Sequence, residues 1–385
     1  MPMPSGSSAH PADPVPGRPD PALPLLLLHV PRTGGSTLKF LLEAAYGSDR
    51  TLLDAHRYPG EDLAAGFAVV EGHLGAGAFA RHFGADWTAN AVTLLREPVA
   101  RAVSQARHLR ARPGPLQEVL ARPVRDPVAL FARVPRLADA QTKLLAGRDL
   151  DRPADADALA AALDVLARTA FAPTEALDAG VALVAERFGF GATGFGVRNA
   201  AAATGDDDLR SAAFRDAAAA HNDFDRRLFE YAGRLFAERC DRFTRTLLDA
   251  PLAPGPAVGA ARYLRRPLTD TVVRPAPGVR GRISGWMLVD GHAPDAVIVR
   301  VGETVTPVVS RVHRDEAARA TGRIANRRAG FVGTVTIPAD ADRVEVIGVD
   351  RERGRRATLA FTVVDAPRRP LVRRLRAGLT PRPRA

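Results

Sequence analysis

The residues best suited to chemistry lie in three short stretches of a 385-residue chain. The first, LLLLHVPRTGGSTLKF over residues 25–40, runs an apolar segment into Pro31, Arg32, Thr33, Gly34, Gly35, Ser36 and Thr37. Two adjacent glycines let a backbone turn sharply and approach a ligand closely. A helix starting just after them directs free N–H groups and its positive end at the same spot. Arg32 adds a cation, and Ser36 and Thr37 add hydroxyls, so the chemistry is anion binding, of a phosphate or a phosphosulfate. The stretch is not a Walker A loop, because no Lys precedes the Ser/Thr pair. An ordinary βα turn with a Gly-Gly kink is the competing reading of the loop alone.

The second stretch, AVTLLREPVARAVSQARHLR over residues 91–110, is a strand, then Arg96, Glu97 and Pro98, then a helix carrying Ser104. Proline suits the first turn of a helix. Arg96 at the strand end supplies a fork of donors and Ser104 a hydroxyl, a pair able to hold a second anion. A helix N-terminal cap plus polar residues facing solvent is the plain alternative. The third stretch is VVEGHLGAG, where His73 follows an apolar run and should stand at a strand end beside the ligand loops. An imidazole is suited to take a hydroxyl proton near neutral pH. Glu71 is the alternative base, and a turn histidine held by backbone is the plain reading. His29 reads as strand-end packing, and Lys39 as solvated or packed.

These groups need a scaffold that brings strand ends together. Residues 25–30, 67–71 and 91–95 read as short buried strands, and 37–46, 99–109, 127–146 and 155–168 as helical. Residues 171–188 combine a strand or turn with a helix. Long helices follow over 208–248, with Phe224, Leu228, Tyr231, Leu235 and Phe236 at helical spacing. Strand–loop–helix repetition implies an α/β fold, a P-loop-like parallel sheet flanked by helices. Beyond residue 270 the period becomes two, and six strands between 279 and 364 read as a C-terminal antiparallel β-sandwich. The expected organisation is a disordered leader over 1–22, the α/β domain over 23–250 and a Pro/Gly linker over 251–270. The sandwich follows over 271–365 and a basic tail over 366–385.

Composition narrows the classes. With 46% apolar residues the chain has material for cores, and the single Cys240 excludes an internal disulfide framework or a Cys-cluster metal site. The formal charge of +11 is uneven: residues 1–250 carry a net −2 and residues 251–385 a net +13. Seven arginines and no acid fill the tail. A uniformly basic nucleic-acid binder is therefore a poor reading. The tail could instead be solvated, guide an anionic glycan or make peripheral contact with acidic lipid. Residues 1–22 lack the n- and h-regions of a signal peptide, and the leucine run at 25–28 is too short for a membrane span. A cytoplasmic location is expected.

Together, HVPRTGGSTL and TLLREPVARAVS resemble the carbohydrate sulfotransferases that use 3′-phosphoadenosine 5′-phosphosulfate (PAPS), in the branch with the glycosaminoglycan 2-O-sulfotransferases and bacterial members. Residues 71–73, 141–147 and 174–175 also look like that branch, so the resemblance spans about 23–248. It implies that Pro31, Arg32, Thr33, Gly34, Gly35, Ser36 and Thr37 hold the 5′-phosphosulfate and that Arg96 and Ser104 hold the 3′-phosphate. It further implies that His73 is the general base, that PAPS is the co-substrate with no metal, and that the acceptor is a carbohydrate hydroxyl. The family usually has Lys where this chain has Arg32. Arginine can stabilise charge on the bridging oxygen but holds its proton too tightly to act as an acid. Lys143 is an alternative proton donor. A weakened, glycan-binding scaffold and a P-loop kinase are the rival functions, the latter lacking its Lys. Residues 281–290, 314–318 and 329–331 resemble a β-sandwich appended to bacterial glycosyltransferases, in which Trp286 either stacks on sugar or fills the core.

Overall fold

The computed structural model describes residues 17–58, 62–63, 66–112, 114–120, 123–191, 208–264, 266–268, 271–274 and 279–365. The basic tail and residues 1–16 of the leader lie outside them. The first half of the chain runs β1 (Leu25–Leu28), α1 (Gly35–Tyr46), β2 (Thr51–Leu52), β3 (Val69–Gly72), α2 (Ala76–Phe83), β4 (Ala91–Leu95) and α3 (Pro98–Ala111). It continues through α4 (Pro115–Leu120), α5 (Pro127–Arg133), α6 (Ala140–Leu145), α7 (Ala156–Arg168), β5 (Ala170–Pro173), α8 (Leu177–Phe188), α9 (Ala212–Ala220) and α10 (Asp223–Asp249).

The first five strands form one parallel sheet in the order β2-β3-β1-β4-β5. β1 is its centre, and Leu25, Leu26, Leu27 and Leu28 are all buried, as expected of a parallel strand covered on both faces. Helices around it start where the sequence offers caps. The Asp155 carboxylate accepts from the Ala158 N–H at 2.7 Å, and Asp126 does the same for Ala129 at 3.0 Å.

Two boundaries differ from the sequence reading. Residues 17–22 are held in place: the Asn90 side chain accepts from the Asp20 N–H and donates to the Asp20 and Leu23 carbonyls, and Arg187 donates to the Gly17 carbonyl. A buried Asn with its hydrogen bonds filled orders a segment whose composition alone could not. Residues 251–270 are strands as well as connection: β6 (Ala253–Pro254), β7 (Ala257–Tyr263) and β8 (Arg266–Leu268). Their Pro and Gly content hid them; β6 and β8 pair at the sheet's edges, where a missing N–H is tolerated, while β7 is paired on both sides, by β10 and β8.

The remaining elements are β9 (Thr271–Arg274), β10 (Arg280–Val289), β11 (Ala296–Val301), β12 (Thr304–Val312), α11 (Asp315–Thr321), β13 (Gly330–Thr336), β14 (Arg343–Asp350) and β15 (Arg355–Asp365). The expected antiparallel sandwich is one curled, mixed sheet of ten strands, β6-β15-β14-β11-β12-β13-β10-β7-β8, with β9 also on β15. β6 and β9 pair with β15 in parallel. The curl comes from β12, whose register shifts between Val309 and Val312 around Arg311 at φ 56°. A bulge bends a strand and raises its twist. The two halves then face each other over Met287, Val297, Val299, Phe331 and Val346. Trp286 is buried with Leu288 and Ala317, so it fills core and offers no face to a sugar.

The curled sheet packs on the α/β unit. Val309, Val312 and Val332 join the core of the parallel sheet, Thr334 donates to Asp178 at 2.5 Å, and Arg351 pairs with Glu186. Among the described residues no helix is long and apolar enough to cross a membrane.

Candidate functional site

The carboxyl ends of β3, β1 and β4 lie side by side, and each delivers one of the stretches singled out above. β1 leads into the Gly-rich turn. Arg32 takes a left-handed conformation at φ 69° and Gly34 at φ 90°, and α1 begins at Gly35. No side chain caps α1 and no acidic residue sits in its first turn; of its leading N–H groups, that of Thr37 donates to the Gly34 carbonyl at 2.9 Å. Glycine is required at 35: a Cβ there would stand 2.8 Å from His29 Cγ and closer still to Cδ2 and Nε2. The turn is braced from within. Thr33 is buried, its hydroxyl donates to the Val30 carbonyl at 2.8 Å, and its own carbonyl accepts from the Thr174 hydroxyl, which also reaches the Leu95 carbonyl at 2.8 Å. Thr33 is thus a strut, while Ser36 and Pro31 are half-buried at the turn and Thr37 is buried in α1.

β4 delivers Arg96, and α3 delivers Ser104. The structure brings both into contact with the turn: Arg96 Nη1 donates to the Arg32 carbonyl at 3.2 Å, and Arg32 Nε donates to Ser104 Oγ at 3.1 Å. Arg32 Nη1 also meets His108 Nδ1 at 3.4 Å. The Arg32 side chain therefore points at α3 rather than staying over the Gly-Gly turn. Arg96 is fixed through its backbone, since the Gln141 amide accepts from its N–H and donates to its carbonyl, both at 2.9 Å. Gln141 in turn rides on α6, whose first turn is capped by the buried Asp225 carboxylate, itself 3.7 Å from buried Arg101. The start of α3 is closed: Glu97 accepts from the Val99 and Ala100 N–H groups. Of the two helix starts, that of α3 has a side-chain cap and that of α1 has none.

Electrostatics agree. Burial, then the neighbouring charges of Arg96 and Arg112, push the Arg32 pKa down. Burial and the charges of Arg32 and Arg112 do the same to His108. Like charges crowded together without an acidic partner favour a bound anion. His108 was not singled out in the sequence, although it lies one helical turn beyond Ser104, on the same face of α3.

β3 delivers Glu71 and His73. Glu71 is buried, contacts His29 Nδ1, accepts from the Asp54 N–H at 2.9 Å and lies 3.5 Å from Lys39 Nζ. Burial alone would raise its pKa; the His29 hydrogen bond, the Asp54 N–H and the charges of His29 and Lys39 outweigh that and hold it at about 2. Glu71 is a locked carboxylate and no base. His29 and Lys39 belong to this cluster rather than to packing or solvent alone.

His73 is exposed above it. Its Nδ1 lies 2.7 Å from the His29 carbonyl, an acceptor only, so Nδ1 carries the proton and Nε2 keeps a free lone pair. The His29 ring lies 4.4 Å away and the His56 ring 5.2 Å away. Desolvation and the charge of His29 push the His73 pKa down to about 4, so the ring is neutral at physiological pH. Lys143 is elsewhere: it is buried and donates to the Pro135 and Leu150 carbonyls at 3.0 and 3.2 Å, which removes it as a proton donor here. No protein-family model matches the chain, and no curated protein is similar enough to match it.

Proposed function

We propose that this chain transfers a sulfuryl group from PAPS to a carbohydrate hydroxyl, with the turn at residues 31–37 acting as a P-loop-like cradle. One observation carries the reading: a neutral imidazole with a free Nε2 stands on the strand next to an uncapped helix start and a cluster of unneutralised cations. In this reading the α1 N–H groups and Ser36 hold the phosphosulfate, and Arg96 and Ser104 hold the 3′-phosphate. Arg32 reaches between the two and offsets charge on both. His73 Nε2 takes the acceptor hydroxyl proton as the new O–S bond forms. The S–O bond to the 5′-phosphate breaks, and its electron pair leaves on 3′,5′-ADP. Such loose, in-line transfers depend on positioning and electrostatics. A bound polyanion raises the basicity of His73 from its low resting value, which matches base strength to the loaded state.

The test is calorimetric titration with 3′,5′-ADP, followed by radiosulfate transfer from PAPS to a panel of glycans. Binding with transfer supports the reading. Binding without transfer to any glycan points to a scaffold, and phosphate transfer from ATP instead points to a kinase.

A further inference from the structure

A separate cavity of about 260 Å³ opens at the other end of β5, between α8, α10 and the curled sheet. Its floor is apolar, made by Phe171, Val184, Phe243 and Leu247. Its rim holds four arginines against the single Glu186. Two of the four are committed. Arg239 donates to the Thr169 and Ala167 carbonyls and lies over the Phe171 ring, while Arg351 is paired with Glu186. The other two are Arg187 and Arg242. Arg187 Nη2 donates to Gly17 and Ala89, but its Nε is buried with no hydrogen-bond partner. The exposed Arg242 guanidinium has no hydrogen bond or ion pair among the described residues. With Arg351 and Glu186 offsetting each other, the rest of the rim is positive, which favours an anion.

An apolar floor beneath a positive rim suits one ligand class. We propose that this cavity binds an amphipathic monoanion, a short-chain acyl carboxylate, with its chain on Phe171 and Phe243 and its carboxylate at Arg242. Arg351 belongs to the curled sheet and the other lining residues to the α/β unit, so the ligand bridges both. The small volume excludes a full-length lipid. None of these residues belongs to the strand-end site, so the proposal stands apart from the sulfuryl-transfer reading.

Octanoate is the probe, titrated into the full chain by calorimetry and by thermal melting, with octylammonium as the control of opposite charge. Saturable octanoate binding with a raised melting temperature and no octylammonium binding is expected. Arg242→Gln, at an exposed position, should weaken octanoate at least tenfold. Thr246→Trp, also exposed, should fill the mouth and abolish binding while circular dichroism stays unchanged. Absence of saturable octanoate binding overturns the proposal, as does equal binding of octylammonium. Undiminished affinity in either variant does so too.

Discussion

Replacing Gly35 with Ala puts one methyl group where the His29 ring already stands. The added carbon would lie 2.8 Å from Cγ and nearer to two other ring atoms. Carbon atoms rest about 3.5–4.0 Å apart and the nearest ring carbon, Cδ2, would stand 2.1 Å away, so the ring must recede by about 1.5 Å. It has nowhere to go. Its Nδ1 is bound to Glu71, which the Asp54 N–H and Lys39 hold from behind. Overpacking of this kind costs roughly 1–3 kcal/mol, so the melting temperature of Gly35→Ala should fall measurably. The displacement also passes to His73, which is seated on the His29 carbonyl and ring. A ~1 Å misplacement of a reacting group costs on the order of 10²-fold in rate. Thermal melting and radiosulfate transfer read the two effects independently. Removing the ring as well, in Gly35→Ala/His29→Ala, should make the two changes non-additive by about 0.5–3 kcal/mol, because the clash vanishes. A Gly35→Ala protein with unchanged melting and turnover refutes the coupling between turn and base.

His73→Ala should abolish transfer while leaving 3′,5′-ADP affinity near its original value. In the unmodified protein kcat/KM, which reports the free state, should stay level down to about pH 5 and fall through about 4 as the imidazole protonates; a limb near 6.5 contradicts the free-base geometry. Arg96→Ala should weaken 3′,5′-ADP by an order of magnitude or more in calorimetry, since it removes a charge-assisted donor. Asp225→Asn removes the carboxylate beside the fully buried Arg101, leaving only Asp139 to offset its charge, and takes one of the two acceptors from the first turn of α6, so urea denaturation should show a loss of roughly 3–5 kcal/mol. Glu71 titrates below its ordinary range in the folded state, so the stability it contributes is complete above about pH 4.5 and is lost as pH falls through about 2. Urea melts of Glu71→Gln across that window should be flatter than those of the unmodified chain.

The parallel sheet was readable because its strands are apolar runs ending in turn residues, and β4 at Ala91–Leu95 and β11 at Ala296–Val301 match the sequence reading to the residue. The two-residue β2 carries too little pattern to be seen. The convergence of Arg32, Arg96 and Ser104 was readable because each stretch announces its own strand-to-helix turn. The supporting residues were not. Gln141, Asp225 and Thr174 act through backbone atoms 45 to 141 positions away, and no local spacing encodes such a partner. His29 and Lys39 read as bland for the same reason, since the Glu71 that gives them meaning lies on another strand. The curl of the second sheet rests on one bulge at Arg311, where alternation merely slips by a residue.

The 27-residue α10 belongs to both halves of the molecule. Its first turn carries Asp225, which fastens α6 and hence Gln141 and Arg96. Its last turns bury Leu247 against Ala296, Ile298, Ile347 and Val349, and Arg356 of β15 donates to the Leu248 carbonyl at 2.7 Å. The two sheets are therefore not beads on a string. A truncation after residue 250 strips the far end of this helix, exposes Leu247 together with Phe243 and Leu248, and loosens a rod whose near end holds an arginine of the candidate site. The appended sheet is thus part of what makes the strand-end geometry rigid, and the protein is best expressed, engineered and inherited as one unit.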